Sequence, residues 1–300
     1  MVNNQDSFEY QYADSLQNIL RYGELAKNRT GIDTLSVQHQ YFFLQHIEYN
    51  FPIIKGKKVF PKMALTELMW MMNGRIDVKW LQNRGVNYWN EWAGEDGTIG
   101  KSYGKQFRDF NGIDQLKVLI NDMSKNPESR RLILNLWNVN DINEMRLPPC
   151  FMNFRFACIR VEGTIDYVVD LHVTSRSEDS FIGQPYDFMF AAWFLKIMCF
   201  LACVDSEFNY RPRHVHYTAE DYHMYVNHKE QVLQYLNNVN ENRNNVIQQL
   251  TQAKIGYMAL DSSNPLNLFL SNSDILKYEN FKIIKDYRDE YGSIKAPIAV

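Results

Sequence analysis

The sequence has little net charge, few cysteines and no long uninterrupted hydrophobic segment. Its 300 residues include 32 basic and 35 acidic side chains, which give a formal net charge of -3. This balance creates no global basic field, so nucleic acid is not expected as the main ligand, and an anionic ligand must be held by local arginines. Hydrophobic residues make up 45% of the chain, enough for a sizeable core. Because no repeat, linker or charge block marks a boundary, we predict a single domain over residues 1–300.

Cysteine is scarce, and its spacing excludes the usual cysteine-based frameworks. The four cysteines form neither a C-x-x-C pair nor a paired zinc pattern; they are Cys150, Cys158, Cys199 and Cys203. We therefore predict no metal site. The low cysteine content favours a reducing, cytoplasmic setting.

Membrane and export signals are also missing. The first residues lack the basic-then-apolar pattern of a secretory signal. The most apolar run, from Phe188 to Val204, is only 17 residues long and contains Lys196. Its length and its lysine predict a buried core helix instead of a membrane span.

Periodicity predicts a mixture of helices and strands. Helical spacing covers Phe8 to Tyr22 and Met63 to Met72, and glycine follows each segment closely. Strand-like runs cover the segments 35–44, 132–137 and 164–173, and a further edge strand is expected from residue 51 to 54.

One stretch combines a rigid backbone with a nucleophilic side chain. Cys150 follows Pro148 and Pro149 and precedes an alternating apolar run that contains Phe154 and Phe156. The prolines restrict the backbone, and the alternation predicts a strand, so the thiol lies where a rigid turn enters a sheet. Cys150 is either a buried structural cysteine or a nucleophile.

Several polar segments are further candidates for a site, each with a structural alternative. The loop 28–34 contains Arg29 and could hold a phosphate or be a plain surface turn. Glu67 lies inside an apolar helix, where a carboxylate is either solvated or functional. The segment 175–187 carries polar side chains into the apolar helix, and Asp187 could be only an N-cap. The aromatic run 88–92, the pair Arg130–Arg131 and the pair His223–Tyr225 complete the set.

Taken in order, these motifs resemble thymidylate synthases and the related deoxypyrimidine nucleotide hydroxymethylases. The resemblance runs from about Tyr22 to Val300, with a longer segment than usual at 237–272. Its specific parts are the Pro-Cys pair before a strand, Arg-Ser-x-Asp-x-x-x-Gly-x-Pro from Arg176, Asp-x-His-x-Tyr from Asp221, and the C-terminal Lys-Ala-Pro-Ile-Ala-Val. It implies an α+β fold around a large mixed β-sheet with flanking helices, and a homodimer that packs through the sheet face and shares its active sites.

The resemblance also implies roles for individual residues. Cys150 would be the nucleophile, and Glu67, Asp187 and Tyr103 the other catalytic groups. The nucleotide would be bound by Arg29, Arg176, Ser177, Asp187, His223 and Tyr225, with Arg130 and Arg131 supplied by the partner subunit. The folate would be bound by Lys57, Trp89, Trp92, Asp179, Ile182, Gly183, Tyr186 and Val300, and the C-terminal tail would close over the site.

The chemistry of this family explains the need for a thiolate. Carbon 5 of a pyrimidine attacks the one-carbon unit of 5,10-methylenetetrahydrofolate only after a sulfur has added to carbon 6. We expect the arginines, above all Arg176, to favour ionisation of the thiol. A hydride from the folate would complete a methyl group, and water would complete a hydroxymethyl group.

Four positions depart from the thymidylate synthase pattern. Asp187 stands where those enzymes have asparagine, and Phe151 stands where histidine is usual. An amide matches O4 and N3 of uracil, whereas a protonated carboxyl, or a carboxylate that faces a protonated N3, matches N4 and N3 of cytosine. Arg155 replaces a usual glutamine and Asn90 a usual aspartate, and no role is predicted for either.

The expected function is therefore a deoxycytidylate (dCMP) hydroxymethylase, of the kind that DNA viruses use to modify their DNA. A dCMP methyltransferase and a thymidylate synthase with an unusual base contact are the alternatives. A catalytically silent relative that binds nucleotide or RNA is a different class, which the joint presence of Cys150, Arg176, Asp179 and His223 disfavours.

Overall fold

The computed structural model describes residues 8–204, 206–241, 255–257, 281–283 and 294–298. The α-helices are α1 (Phe8–Tyr22), α2 (Pro61–Met72), α3 (Val78–Gln82), α4 (Gly104–Arg108), α5 (Gln115–Lys125), α6 (Gln184–Val204) and α7 (Lys229–Glu241). The strands are β1 (Glu24–Ala26), β2 (Thr34–Val37), β3 (Gln40–Leu44), β4 (Ile133–Asn135), β5 (Phe151–Arg160), β6 (Asp166–Asp179), β7 (Asn209–Tyr225), β8 (Ile255–Tyr257) and β9 (Phe281–Ile283). Short 3₁₀ turns cover Tyr88–Trp92, Ile142–Glu144 and Val226–His228.

A large mixed sheet organises the described part of the chain. Its strand order is β1-β2-β7-β6-β5-β4, and β3 pairs with β7 farther along that long strand. Strands β6 and β7 are parallel, and the other pairs of this sheet are antiparallel. Helix α6 joins the two parallel strands, as a crossover must. This architecture confirms the predicted α+β class, while the homodimer stays a prediction.

Helix α6 is the centre of the core. It packs against β6, β7, α2 and α5. Among the described residues it is the one helix long and apolar enough to cross a membrane, but 78% of its most apolar window is buried inside the protein. The Lys196 ammonium donates to the Glu48 carbonyl at 3.2 Å, and burial lowers the pKa of Lys196 to about 8. The prediction of a buried core helix is confirmed.

A bulge near the start of β5 adjusts the strand beside Cys150. The register with β6 shifts between Phe151 and Asn153. Because of the extra residue, Phe151 and Phe154 are both buried although they are three residues apart, and their rings lie 5.2 and 6.1 Å from that of Phe190. The bulge thus anchors the first residue after Cys150 in the core.

Several predicted boundaries were wrong. The single strand at 35–44 is two strands, β2 and β3, which pair with different parts of β7. Residues 51–54 form no strand; they are a buried loop in which the Ile53 N–H donates to the Phe51 carbonyl at 2.8 Å. Strand β4 is shorter than 132–137, and β6 continues to Asp179 beyond the predicted end at 173. Helix α6 begins at Gln184, so Asp187 lies within its first turn and is not the N-cap.

Candidate active site

The backbone around Cys150 is held by two neighbouring elements. The Cys150 N–H donates to the Tyr103 hydroxyl oxygen at 2.9 Å, and the Arg176 N–H donates to the Cys150 carbonyl at 2.9 Å. The Arg176 guanidinium donates to the carbonyls of Pro149 at 2.9 Å and Pro148 at 3.1 Å. Strand β6 therefore fixes the Pro-Pro-Cys turn, and Arg176 both positions Cys150 and places positive charge beside it.

Burial dominates the electrostatics of the thiol. It raises the pKa of Cys150 to about 11, and the charge of Glu178 acts in the same direction. Arg176, a hydrogen bond with Tyr103, and Arg29 all oppose this shift in pKa. The arginines act in the predicted direction, and in this structure the loss of solvation outweighs them.

Glu67 is a buried carboxyl with two donors. Its oxygens accept hydrogen bonds from the Tyr88 hydroxyl and the Trp89 indole N–H, both at 2.7 Å. Burial raises the pKa of Glu67 to about 7 despite these bonds, so the group can take up or release a proton near neutral pH. Trp89, predicted to pack on the folate, is buried among Trp70, Trp92 and Tyr103 and orients Glu67.

Asp187 is paired with a second carboxyl that the sequence interpretation overlooked. Glu178, on β6, is 2% exposed and accepts hydrogen bonds from the Tyr217 hydroxyl at 2.5 Å and from Asp187. Burial and the charge of Glu178 raise the pKa of Asp187 well above its ordinary value. Burial raises the pKa of Glu178 to about 7, while the hydrogen bonds from Asp187 and Tyr217 oppose that shift. Asp187 is therefore the protonated member of the pair. Glu178 could have been recognised from the sequence as an acidic residue on the core-facing side of β6.

The residues predicted to bind the sugar and phosphate meet at the ends of β6 and β7. Parallel pairing places Ser177 beside Asp221 and Asp179 beside His223. The Ser177 hydroxyl donates to Asp221 at 3.3 Å, and His223 Nδ1 lies 3.5 Å from the Asp221 carboxylate. Burial alone would lower the pKa of His223, but its contacts with Asp221 and the charge of Asp179 raise it overall. Asp221 thus orients Ser177 and His223, which are both predicted to bind the nucleotide. From the sequence, Asp221 was named only as the first residue of the Asp-x-His-x-Tyr motif.

Arg29 and Tyr225 lie on the same side of this cluster. The Tyr225 and His223 ring centroids are 5.3 Å apart, so the two side chains lie on one side of β7. Arg29 is exposed in its loop, and its charge lowers the pKa values of both Cys150 and Tyr225. A guanidinium that is exposed and close to the thiol is well placed for an anionic ligand.

Arg130 and Arg131 are not brought to Cys150 within this chain. Both are exposed in the turn before β4. Strand β4 runs antiparallel to β5, and the Phe156 N–H donates to the Leu132 carbonyl at 2.8 Å. The arginines therefore lie beside the far end of β5, about 20 Å from Cys150 at the usual rise per strand residue.

The residues predicted to bind folate surround the turn between β6 and α6. Asp179 accepts hydrogen bonds from the N–H groups of Phe181 at 2.9 Å and Ile182 at 3.1 Å, and Gly183 follows in the same turn. Lys57 is 5% exposed, donates to the Phe181 carbonyl and lies 3.8 Å from the centre of its ring. Burial lowers the pKa of Lys57 to about 7.

Two half-buried aromatic side chains and the C-terminal tail complete this region. Trp92 and Tyr186 pack against the core, and the buried Trp92 indole N–H has no hydrogen-bond partner among the described residues. Such a wall fits a flat pterin ring. His228 Nε2 lies 2.7 Å from the Pro297 carbonyl and so holds the tail beside Tyr225. Val300 lies outside the described residues.

Comparison with known proteins agrees with this fold. The family model for thymidylate synthase matches residues 10–300. The thymidylate synthase of Brachyspira hyodysenteriae is 32% identical over 294 residues, covering 96% of this chain and 99% of the relative. That of Mycoplasma mobile is 33% identical over 322 residues, covering 97% and 99%.

The chain belongs to the thymidylate synthase family. Enzymes of this family act on a pyrimidine nucleotide and take the one-carbon unit from 5,10-methylenetetrahydrofolate. The two relatives are both named thymidylate synthase, which supports the alternative of a uracil substrate better than the hydroxymethylase.

Proposed function

We propose that this chain transfers a one-carbon unit from 5,10-methylenetetrahydrofolate to carbon 5 of dCMP. The observation that carries the base preference is the carboxyl pair Asp187–Glu178. Asp187 directs its proton to Glu178 in a hydrogen bond, so the Asp187 oxygen left for the base is an acceptor. An acceptor matches the N4 amino group of cytosine and repels O4 of uracil.

The chain's own residues divide the chemistry among them. Arg29, Ser177 and His223 bind the nucleotide, and Arg176 holds the turn that aims the Cys150 sulfur at carbon 6. The Cys150 thiol loses its proton, forms the sulfur–carbon 6 bond and breaks it again when product forms. Glu67, whose pKa is about 7, moves protons at the base. The folate supplies the carbon unit when bound, against Trp92 and Tyr186.

Thymidylate synthase, with dUMP as substrate, is the second candidate. The names of both relatives favour it. Asp187 would then have to turn its proton toward O4, as the amide of asparagine does. Water as the final reactant, the homodimer with shared sites and a cytoplasmic location stay predictions from the resemblance.

Steady-state kinetics with both nucleotides separates the candidates. We expect wild type to prefer dCMP in kcat/KM, and Asp187→Asn to shift the preference toward dUMP. A site built for one donor and acceptor pattern can reject the wrong base by as much as ~10⁴-fold, because buried polar groups are left unpaired. Wild type that prefers dUMP would establish the second candidate. An unchanged ratio in Asp187→Asn would remove base recognition from Asp187.

The product identifies the final reactant. Mass spectrometry of the nucleotide should show a hydroxymethyl group, and tetrahydrofolate should be released. Release of dihydrofolate, detected by absorbance, would instead indicate a methyl product. No turnover with either nucleotide, in protein that binds both, would favour the silent relative.

A further inference from the structure

A second buried carboxyl lies behind the residue that faces the base. Glu178 is 2% exposed and lies at the end of β6, two residues after Arg176. It accepts hydrogen bonds from the Tyr217 hydroxyl at 2.5 Å and from Asp187. Two donors converge on this carboxylate, and one of them, Asp187, is also close enough to Glu67 and Cys150 for their charges to raise its pKa.

The local backbone leaves room for this carboxylate. A Cβ atom at Gly183 would lie 3.3 Å from Glu178 Oε1 and 3.2 Å from the Asp179 carbonyl. Both contacts are tighter than ordinary van der Waals distances, so a larger residue would press on the carboxylate. Gly183, predicted as a folate contact, therefore also leaves the space that the Glu178 carboxylate occupies.

We propose that Glu178 is a positioning residue that determines base selectivity by drawing the proton of Asp187 away from the nucleotide. It does not touch the base and acts through Asp187. The inference rests on the proposed function, because it assigns the orientation of the same carboxyl.

The proposal predicts a pH dependence whose sign follows from Glu178. Above a pH of about 7 Glu178 is ionised and accepts a hydrogen bond from the protonated Asp187 carboxyl, so the other oxygen of Asp187 presents an acceptor to the base. Below that pH Glu178 is protonated, and Asp187 can donate to O4 of uracil. The preference for dCMP over dUMP should therefore rise with pH through about 7.

Other titratable groups face the pair and must be separated from it. These groups interact with Asp187 or Glu178 through charge or hydrogen bonds. They are Cys150, Glu67, Asp179, Tyr12, Tyr88, Tyr103, Tyr217 and Tyr222. Glu67 is the critical one, because the pKa of Glu67 is also about 7.

The test is the ratio of the dCMP and dUMP dissociation constants, measured by calorimetry between about pH 6 and 8.5. Binding is measured without folate, so no turnover occurs. In wild type the preference for dCMP should rise in one step as pH passes through about 7. The rise should be roughly tenfold, which corresponds to the free energy of one hydrogen bond gained or lost. Glu178→Gln should give a flat ratio, because the amide cannot ionise. Glu67→Gln is the matched control and should keep the step.

Tyr217→Phe provides a second, milder variant if Glu178→Gln does not fold. Loss of a donor to the carboxylate raises the pKa of Glu178, so the step should move to higher pH. A step that persists in Glu178→Gln, or stays in place in Tyr217→Phe, would overturn the role of Glu178, as would a flat ratio in wild type. Wild type that binds dUMP more tightly across the range would instead refute the proposed cytosine preference.

Discussion

Two hydrogen bonds hold the backbone of Cys150 whatever its side chain is, which makes the thiol a suitable target for substitution. Cys150→Ser keeps the bonds to Tyr103 and Arg176. We expect turnover to fall by orders of magnitude while the unfolding temperature and nucleotide binding stay near wild type, because a serine hydroxyl does not supply the thiolate. Single-turnover kinetics and calorimetry measure the two properties. A variant with more than about a tenth of the wild-type rate would rule out the covalent role.

Glu67 should make stability depend on pH. Burial raises its folded pKa from 4.5 to about 7, so the unfolded chain ionises more readily. The contribution of Glu67 to stability is therefore full below about pH 4.5 and is lost as pH rises through about 7. Across this window the free energy of unfolding of wild type should fall by about 3 kcal/mol relative to Glu67→Gln.

Urea unfolding at several pH values measures this difference. Glu220 is exposed, so Glu220→Gln is the control and should follow the wild-type curve. Parallel pH curves for wild type and Glu67→Gln would show that the Glu67 pKa is not raised in the folded state.

Helix α6 stabilises the molecule through its aromatic contacts. The Phe194 ring packs on Phe154 at 5.1 Å, Phe156 at 5.4 Å and Phe107 at 5.7 Å between ring centroids. Phe194→Ala leaves a cavity between α6, α4 and β5, and we expect a loss of about 3–5 kcal/mol in the free energy of unfolding. Leu233 on α7 is 45% exposed, so Leu233→Ala is the control and should change little. A loss below about 1 kcal/mol for Phe194→Ala would mean that this contact is not a main source of stability.

The position of Arg130 and Arg131 bears on the assembly of the whole molecule. They are exposed and lie far from Cys150 along β5, so they can serve a site only on another chain. We predict that Arg131→Ala weakens nucleotide binding, whereas Lys117→Ala on the exposed face of α5 does not. Mixing Arg131→Ala with Cys150→Ser should restore activity, because one site of the mixed dimer receives an intact arginine and an intact thiol.

Sedimentation and activity of the mixed protein test this arrangement. The protein should sediment as a dimer at micromolar concentration, and the mixture should regain part of the wild-type rate. A monomer, or verified mixed dimers without activity, would contradict shared sites.

The sequence alone determined the helices and strands in which buried residues recur at a regular helical or strand spacing. The limits of α1 and the end of α2 agree with the predicted helices, and the alternation of Phe154 and Phe156 correctly indicated a strand. Each depends on neighbours within a few residues, where apolar spacing and a following glycine suffice. The buried character of α6 was also predictable, because its composition is apolar on all sides and includes one lysine.

Tertiary contacts alone decided the protonation and the partners of the site residues. Glu178 and Asp187 become a carboxyl pair because β6 and α6 meet there, and Tyr217 joins them from β7. The Arg176 guanidinium donates a hydrogen bond to the carbonyl of Pro149, 27 residues earlier in the chain. A pKa depends on burial and on charges in space, and both are set by elements that are distant in sequence. The residue types therefore indicated the chemistry, while the three-dimensional packing determined which groups hold the protons.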